Sequence, residues 1–208
     1  MKKKIIIATI TLLFVLSFSS ELSCGQGISK VNKIHNSSVV QKQIKCELLD
    51  YQKVMKVTKW NEEISKYFIS EAENRGVSIF DEALPIISKE TNNTYNFNLV
   101  HHNANGTYDK GAFQINDLPY QEIVKILKSD DKQFDLWSRL NPEFNLSAGL
   151  CWLNYLKSKG LKDHSLFTSY NYGINGAKNY ASRNGTYVSR YSRDIIKARS
   201  EINKVLNN

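Results

Sequence analysis

A chain of 208 residues is long enough for one domain with a proper core and too short for two comfortable ones. Its 41% hydrophobic and 11% aromatic content excludes a disordered or fibrous protein. The net charge is +8, but Lys2, Lys3 and Lys4 supply part of it in a leader-like segment, and no run of basic residues interleaved with aromatics marks a nucleic-acid groove.

Those lysines precede an uncharged apolar run over residues 5–18, the charged-then-apolar order of a secretory signal and too short for a convincing membrane span. Ser17-Phe18-Ser19 offers a small-x-small cleavage site. Leu22-Ser23-Cys24-Gly25 offers a lipoprotein site at which Cys24 would be acylated, although Glu21 stands where an apolar residue is wanted. The reading is a signal peptide over residues 1–23, with cleavage without lipid preferred to acylation and an uncleaved anchor third. Export to the periplasm or cell envelope follows, with membrane contact only through a signal anchor or lipid on Cys24. For an exported, moderately basic chain, a cell-wall polymer or membrane surface fits better as anionic partner than nucleic acid. The cysteines are Cys24, Cys46 and Cys151, an odd number. Cys46 and Cys151 could pair if Cys24 were lipidated; the preferred alternative is that Cys151 is a small buried hydrophobe.

Residues 24–47 are polar and aperiodic and read as a linker or arm, so the domain is expected over residues 48–208. Trp60, Ile64, Tyr67, Phe68 and Ala72 share a helical face that stops at Arg75-Gly76. Asp81 is placed to cap the next helix, which carries Leu84, Ile86, Ile87 and finally Glu90. From residue 100 to 115 helical periodicity disappears, and Asn105-Gly106 signals a β-hairpin. Asn141-Pro142 supplies an N-cap and a first-turn proline for a helix bearing Phe144, Ala148, Cys151, Trp152 and Tyr155. Tyr187, Tyr191, Ile195, Ala198, Ile202 and Leu206 mark the clearest helix. The fold is therefore expected to be mainly α, with a small β-hairpin beside a cleft. No internal repeat or second domain is visible.

Four segments carry a resemblance. Glu90-Thr91 is the first, and the run His101-His102-Asn103-Ala104-Asn105-Gly106-Thr107-Tyr108-Asp109-Lys110-Gly111-Ala112-Phe113-Gln114-Ile115-Asn116 is the second. Asn141-Pro142 through Asn145, Ala148-Gly149 and Leu153 follow, and then Ser169-Tyr170-Asn171-Tyr172-Gly173 with Tyr187-Val188 or Tyr191. In this order they resemble the lytic transglycosylases of the lysozyme-like superfamily, most of all the small ones that accompany secretion and conjugation machines. The resemblance implies a lysozyme-like α+β fold, peptidoglycan glycan strands as substrate, and a cell-envelope-spanning machine as a possible partner. It implies no cofactor.

Cleaving a glycosidic bond requires a proton delivered to the leaving oxygen while positive charge builds at the sugar carbon. Glu90, at the end of an apolar helix, is the candidate acid, because desolvation raises a carboxyl pKa. The resemblance implies that the same glutamate then takes the proton from the C6 hydroxyl of N-acetylmuramic acid, closing a 1,6-anhydro ring. Asp109 has two open readings. The segment around it also resembles the one that carries the second carboxylate of chicken-type lysozymes, which would permit two-carboxylate hydrolysis; otherwise it is a hairpin residue bonded to its own turn. Thr91, Gln114, Asn116, Tyr170, Asn171, Tyr187 and Tyr191 are the candidate substrate-binding or cleft-shaping residues, with Tyr187 and Tyr191 expected one helical turn apart on one face. Ala112-Phe113 and Tyr172 depart from the family pattern and alter bulk along the groove. His101 and His102 lack the spacing of metal ligands. A wall-binding or assembly factor without activity on the same scaffold is the rival of another class.

Overall fold

The computed structural model describes residues 48–127 and 138–208. The signal segment, the arm, Cys24 and Cys46 lie outside the described residues. What is described is mainly helical, with a small three-stranded antiparallel sheet.

Helix α1 (Asp50–Thr58) ends on Lys59 in the left-handed region, φ 64°. Helix α2 (Glu62–Asn74) starts at Asn61, whose side chain accepts the N–H of Ile64 at 2.8 Å, an N-cap of the usual kind. Trp60 therefore precedes the helix on which its spacing placed it. Its indole instead donates to the carbonyl of Tyr95 at 2.9 Å and packs edge-on against Phe68, with ring centroids 5.6 Å apart. The next helix is capped by Ser78, not Asp81: Ser78 Oγ accepts the N–H of Asp81 at 3.3 Å, and Asp81 already lies inside a π-helical turn (Ile79–Ala83). That turn runs into α3 (Leu84–Glu90), where Leu84, Pro85, Ile86, Ile87 and Ser88 are all buried. Glu90, the last residue of α3, is half-buried.

Strands β1 (Val100–His102) and β2 (Tyr108–Lys110) form the expected hairpin, with His101 opposite Asp109 and Gly106 at φ 82° in the turn. A third strand, β3 (Ile115–Asn116), pairs with β2 and sets Asp109 opposite Asn116. Two residues are too few for alternation to show in a sequence. Helix α4 (Asp117–Leu127) follows directly.

Helix α5 (Pro142–Ser158) starts as expected, with Asn141 as N-cap and Pro142 in the first turn. Its buried residues, Leu146, Ala148, Leu150, Trp152, Leu153 and Leu156 among them, go round most of its circumference, because α2, α4, α6 and β3 all pack on it. It is a core helix, and the stripe seen in the sequence was only one of its faces. Cys151 is buried there, and burial pushes its thiol above the usual range. Gly149 fits Phe113: a Cβ at Gly149 would sit 2.2 Å from the Phe113 ring. Gly149→Ala should accordingly cost about 2–3 kcal/mol in urea denaturation, with partial recovery when Phe113→Leu is added. An unchanged midpoint would mean that helix and loop do not meet so closely.

Helix α6 (Asp163–Asn184), which the sequence left unassigned, is two helical pieces joined at Gly173, where φ 70° and ψ 166° break the helix. Helix α7 (Arg190–Asn207) buries Ile195, Ala198 and Ile202 as its spacing predicts, and Ser189 caps it. Tyr187 lies before that cap, so it does not stand one helical turn below Tyr191.

Candidate active site

One groove of about 990 Å³ collects most of the sequence-predicted residues: Glu90, Asp109, Gln114, Asn116, Tyr170 and Asn171 all line it. Tyr191 reaches it by donating its hydroxyl to Glu90 Oε1. Thr91 and Tyr187 do not line it.

Thr91 is buried, with its hydroxyl donating to Ile87 O at 2.7 Å and accepting from Tyr95 N at 2.9 Å. It is a structural pin next to the candidate acid and not a substrate contact. The loop it starts carries Asn92, Asn93 and Tyr95 at φ 50°, 63° and 53°, a left-handed run that is costly for a bulky residue such as tyrosine. The Thr91 hydroxyl and the Trp60 indole hold Tyr95 from its two backbone sides. Tyr187 contributes its carbonyl, which accepts the Thr168 hydroxyl at 2.6 Å and the Ser189 N–H at 2.9 Å.

Glu90 is partly buried, and its carboxyl pKa is raised to about 7. Desolvation is the main cause; the Tyr191 hydroxyl and the Lys89 charge pull the other way, and the Asp109 carboxylate adds a smaller rise. A carboxylic acid that is half protonated near neutrality suits both halves of an acid–base cycle. Tyr170 donates to Phe113 O at 2.7 Å, and not to Glu90. It still belongs to the charged centre: its hydroxyl pKa is driven well up by burial and then by Glu90 and Asp109.

Asp109 is held across the sheet. Asn116 Nδ2 donates to its Oδ1 at 2.6 Å and Asn103 Nδ2 to its Oδ2 at 3.0 Å. Asn116 comes from the paired strand and Asn103 from the hairpin turn, so the sheet register fixes this carboxylate in place. Gln114, at φ 46°, donates to Gly111 O at 2.7 Å and Leu99 O at 3.2 Å, tying together backbone beside the groove.

Three contributors were given no role in the sequence reading. Asn103 was only a hairpin letter. Asn145, fully buried on α5, accepts from Phe113 N at 2.9 Å and donates to Lys110 O at 3.0 Å and Arg139 O at 2.9 Å, so it fastens the loop between β2 and β3. Arg139 is fully buried; it donates to Ile115 O at 2.6 Å and pairs with the Asp117 carboxylate, locking β3 to the start of α4. Its pairing with Asp117 spans 22 residues and leaves no local trace in the sequence.

The groove wall is chemically one-sided. Carboxamides, aromatic rings, two carboxyl groups and aliphatic side chains such as Ile115, Leu118, Ile123 and Ile174 line it, and among the described residues no lysine or arginine does. Phosphate recognition depends on such cations or on exposed backbone N–H nests, whereas carboxamides and aromatic faces suit hydroxyl, acetamido and C–H groups. Among the described residues no group of three or more His, Cys, Asp or Glu could hold a metal. No described helix is long and apolar enough to cross a membrane. Comparison with models of known families, with curated proteins and with solved structures finds no match for this chain.

Proposed function

We propose that the protein is a lytic transglycosylase of lysozyme-like fold that cleaves the β-1,4 bond between N-acetylmuramic acid and N-acetylglucosamine in exported peptidoglycan. The observation that carries this reading is Glu90, with a pKa raised to about 7, in a groove of about 990 Å³ whose lining includes carboxamides and aromatic rings. Protonated Glu90 gives its proton to the glycosidic oxygen as the bond to the muramic C1 breaks. The resulting carboxylate takes the proton of the C6 hydroxyl, whose oxygen closes on C1, so the glutamate ends as it began and no water is consumed. Asp109, held by Asn103 and Asn116, lends negative charge to the cationic sugar in between.

A second reading has a specific support. Asp109 shares the groove with Glu90 and contributes to its pKa, which is also the arrangement of a two-carboxylate muramidase. Mass spectrometry of digested peptidoglycan separates the two: anhydro-muramic ends are expected, and reducing ends would replace the lyase with a hydrolase.

The Tyr191 hydroxyl supplies a check on the acid itself. It favours the ionised form of Glu90, so Tyr191→Phe should raise the Glu90 pKa and move the alkaline limb of the rate profile upward by about one pH unit. A limb that stays in place would mean that Glu90 does not set it.

A further inference from the structure

Tyr172 is an exposed aromatic that the chemistry above does not use. It is 48% exposed, it lines the groove, and it occupies the position after Tyr170-Asn171 where the resemblance leads one to expect a small residue. Water-exposed tyrosine faces are ordinary on a surface, but this one is held in place from two sides. Its ring stacks on Tyr180, with centroids 5.9 Å apart and planes 21° from parallel. Its Cβ lies so close to Gly176 that a Cβ there would come within 2.9 Å of it. Glycine inside a helix costs about 1 kcal/mol relative to alanine, and here its missing side chain leaves room for Tyr172.

Gly176 and Tyr180 both lie in the second piece of α6, beyond the Gly173 break, so that piece flanks the ring. With one face against Tyr180, Tyr172 still leaves about half of its surface to solvent and lines the groove. Asn171 and Asn175 line the same wall and are exposed, placing carboxamide donors and acceptors beside the ring. The other aromatic stack on the groove, Trp152 on Tyr155, differs in kind: Trp152 is only 8% exposed and belongs to the core.

We propose that Tyr172 is the stacking platform of a saccharide subsite, receiving the C–H face of a pyranose ring of the glycan strand while Asn171 and Asn175 bond its hydroxyl or acetamido groups. The electron-rich face of a tyrosine attracts weakly positive C–H groups, and a ring already fixed by its neighbours loses little freedom when the sugar docks. Nucleobases also stack on tyrosine, but a strand of nucleic acid needs cations for its phosphates, and none lines the described groove. This platform rests on the glycan reading of the groove, and it extends that reading to an element at which the chain departs from the family pattern.

The test uses the full-length protein carrying Glu90→Gln, so that strands bind without being cut, with peptide-free peptidoglycan glycan strands as probe in titration calorimetry. Adding Tyr172→Ala should weaken binding about tenfold with the fold retained, and Tyr172→Phe, which keeps the ring face, should stay within about twofold. Equal affinity in the alanine variant would overturn the platform. So would a phenylalanine variant as weak as alanine, which would assign the effect to the hydroxyl, or strands that do not bind at all. Cleavage of the same strands by the unsubstituted protein is scored separately: binding that depends on Tyr172 without cleavage would remove the lytic reaction and leave the subsite standing.

Discussion

Glu90→Gln is expected to reduce glycan cleavage by about a thousandfold or more while making the fold more stable at alkaline pH. The two effects share one cause. The folded protein holds the Glu90 proton with a pKa of about 7 against an ordinary 4.5, so it binds that proton more tightly than the unfolded chain does. The stability this confers is complete below about pH 4.5 and is lost as pH rises through 7. Above that, a desolvated carboxylate costs the fold about 3 kcal/mol, and a neutral carboxamide avoids the cost while still accepting from Tyr191. The difference in unfolding free energy between variant and parent should therefore be large at pH 8 and small at pH 4.5. Denaturant titrations at the two pH values check it, and a pH-independent difference would show that the carboxyl is solvated. Activity that survives the substitution would remove Glu90 from the chemistry.

Asn145→Leu should cost about 4 kcal/mol, the largest loss of stability expected from a single change in the site's support. The substitution keeps volume and burial but strands three backbone groups at once: the N–H of Phe113 and the carbonyls of Lys110 and Arg139. Each unsatisfied buried group costs roughly 1–3 kcal/mol. The close approach of Gly111 compounds the effect, since a Cβ at that position would lie 2.1 Å from Asn145 Nδ2, and a branched side chain on α5 has little slack there. Asn145→Asp keeps one acceptor and loses both donors, so it should not rescue. Urea midpoints measure both variants; a loss below about 1 kcal/mol for Asn145→Leu would mean that water reaches this junction and replaces the lost bonds.

The legible parts of this chain were those written in local chemistry. Asn141-Pro142 announced α5, the steps of three and four announced α7, and Asn105-Gly106 announced the hairpin turn, because each acts within a few residues of itself. Glu90, Asp109, Gln114, Asn116, Tyr170 and Asn171 were picked out together because the resemblance supplies their order, and the groove does bring them together. The failures were also physical. Asp81 lost the cap to Ser78 because a π-helical turn starts three residues earlier than the apolar spacing suggested. Thr91 turned inward because a hydroxyl one residue past a buried helix can bond the helix's own carbonyl. The expected facing of Tyr187 and Tyr191 assumed one continuous helix, and Ser189 starts it between them. Helix α6 went unassigned because its glycines and asparagines resemble loop chemistry, and Gly173 does break it. Arg139 and Asn145 act across 22 to 35 residues of chain, and no pattern of local periodicity encodes such reach.

The break at Gly173 divides labour along α6. Upstream, Leu166, Phe167, Thr168 and Ser169 are sunk in the core; downstream, only Ala177 is fully buried. The downstream piece therefore has few buried contacts of its own, and the packing of Gly176 and Tyr180 against Tyr172 helps to tie it to the upstream piece. The Tyr172 ring thus does for the downstream piece what buried side chains do for the upstream one, while Glu90 stands at the end of α3, which is buried along most of its length.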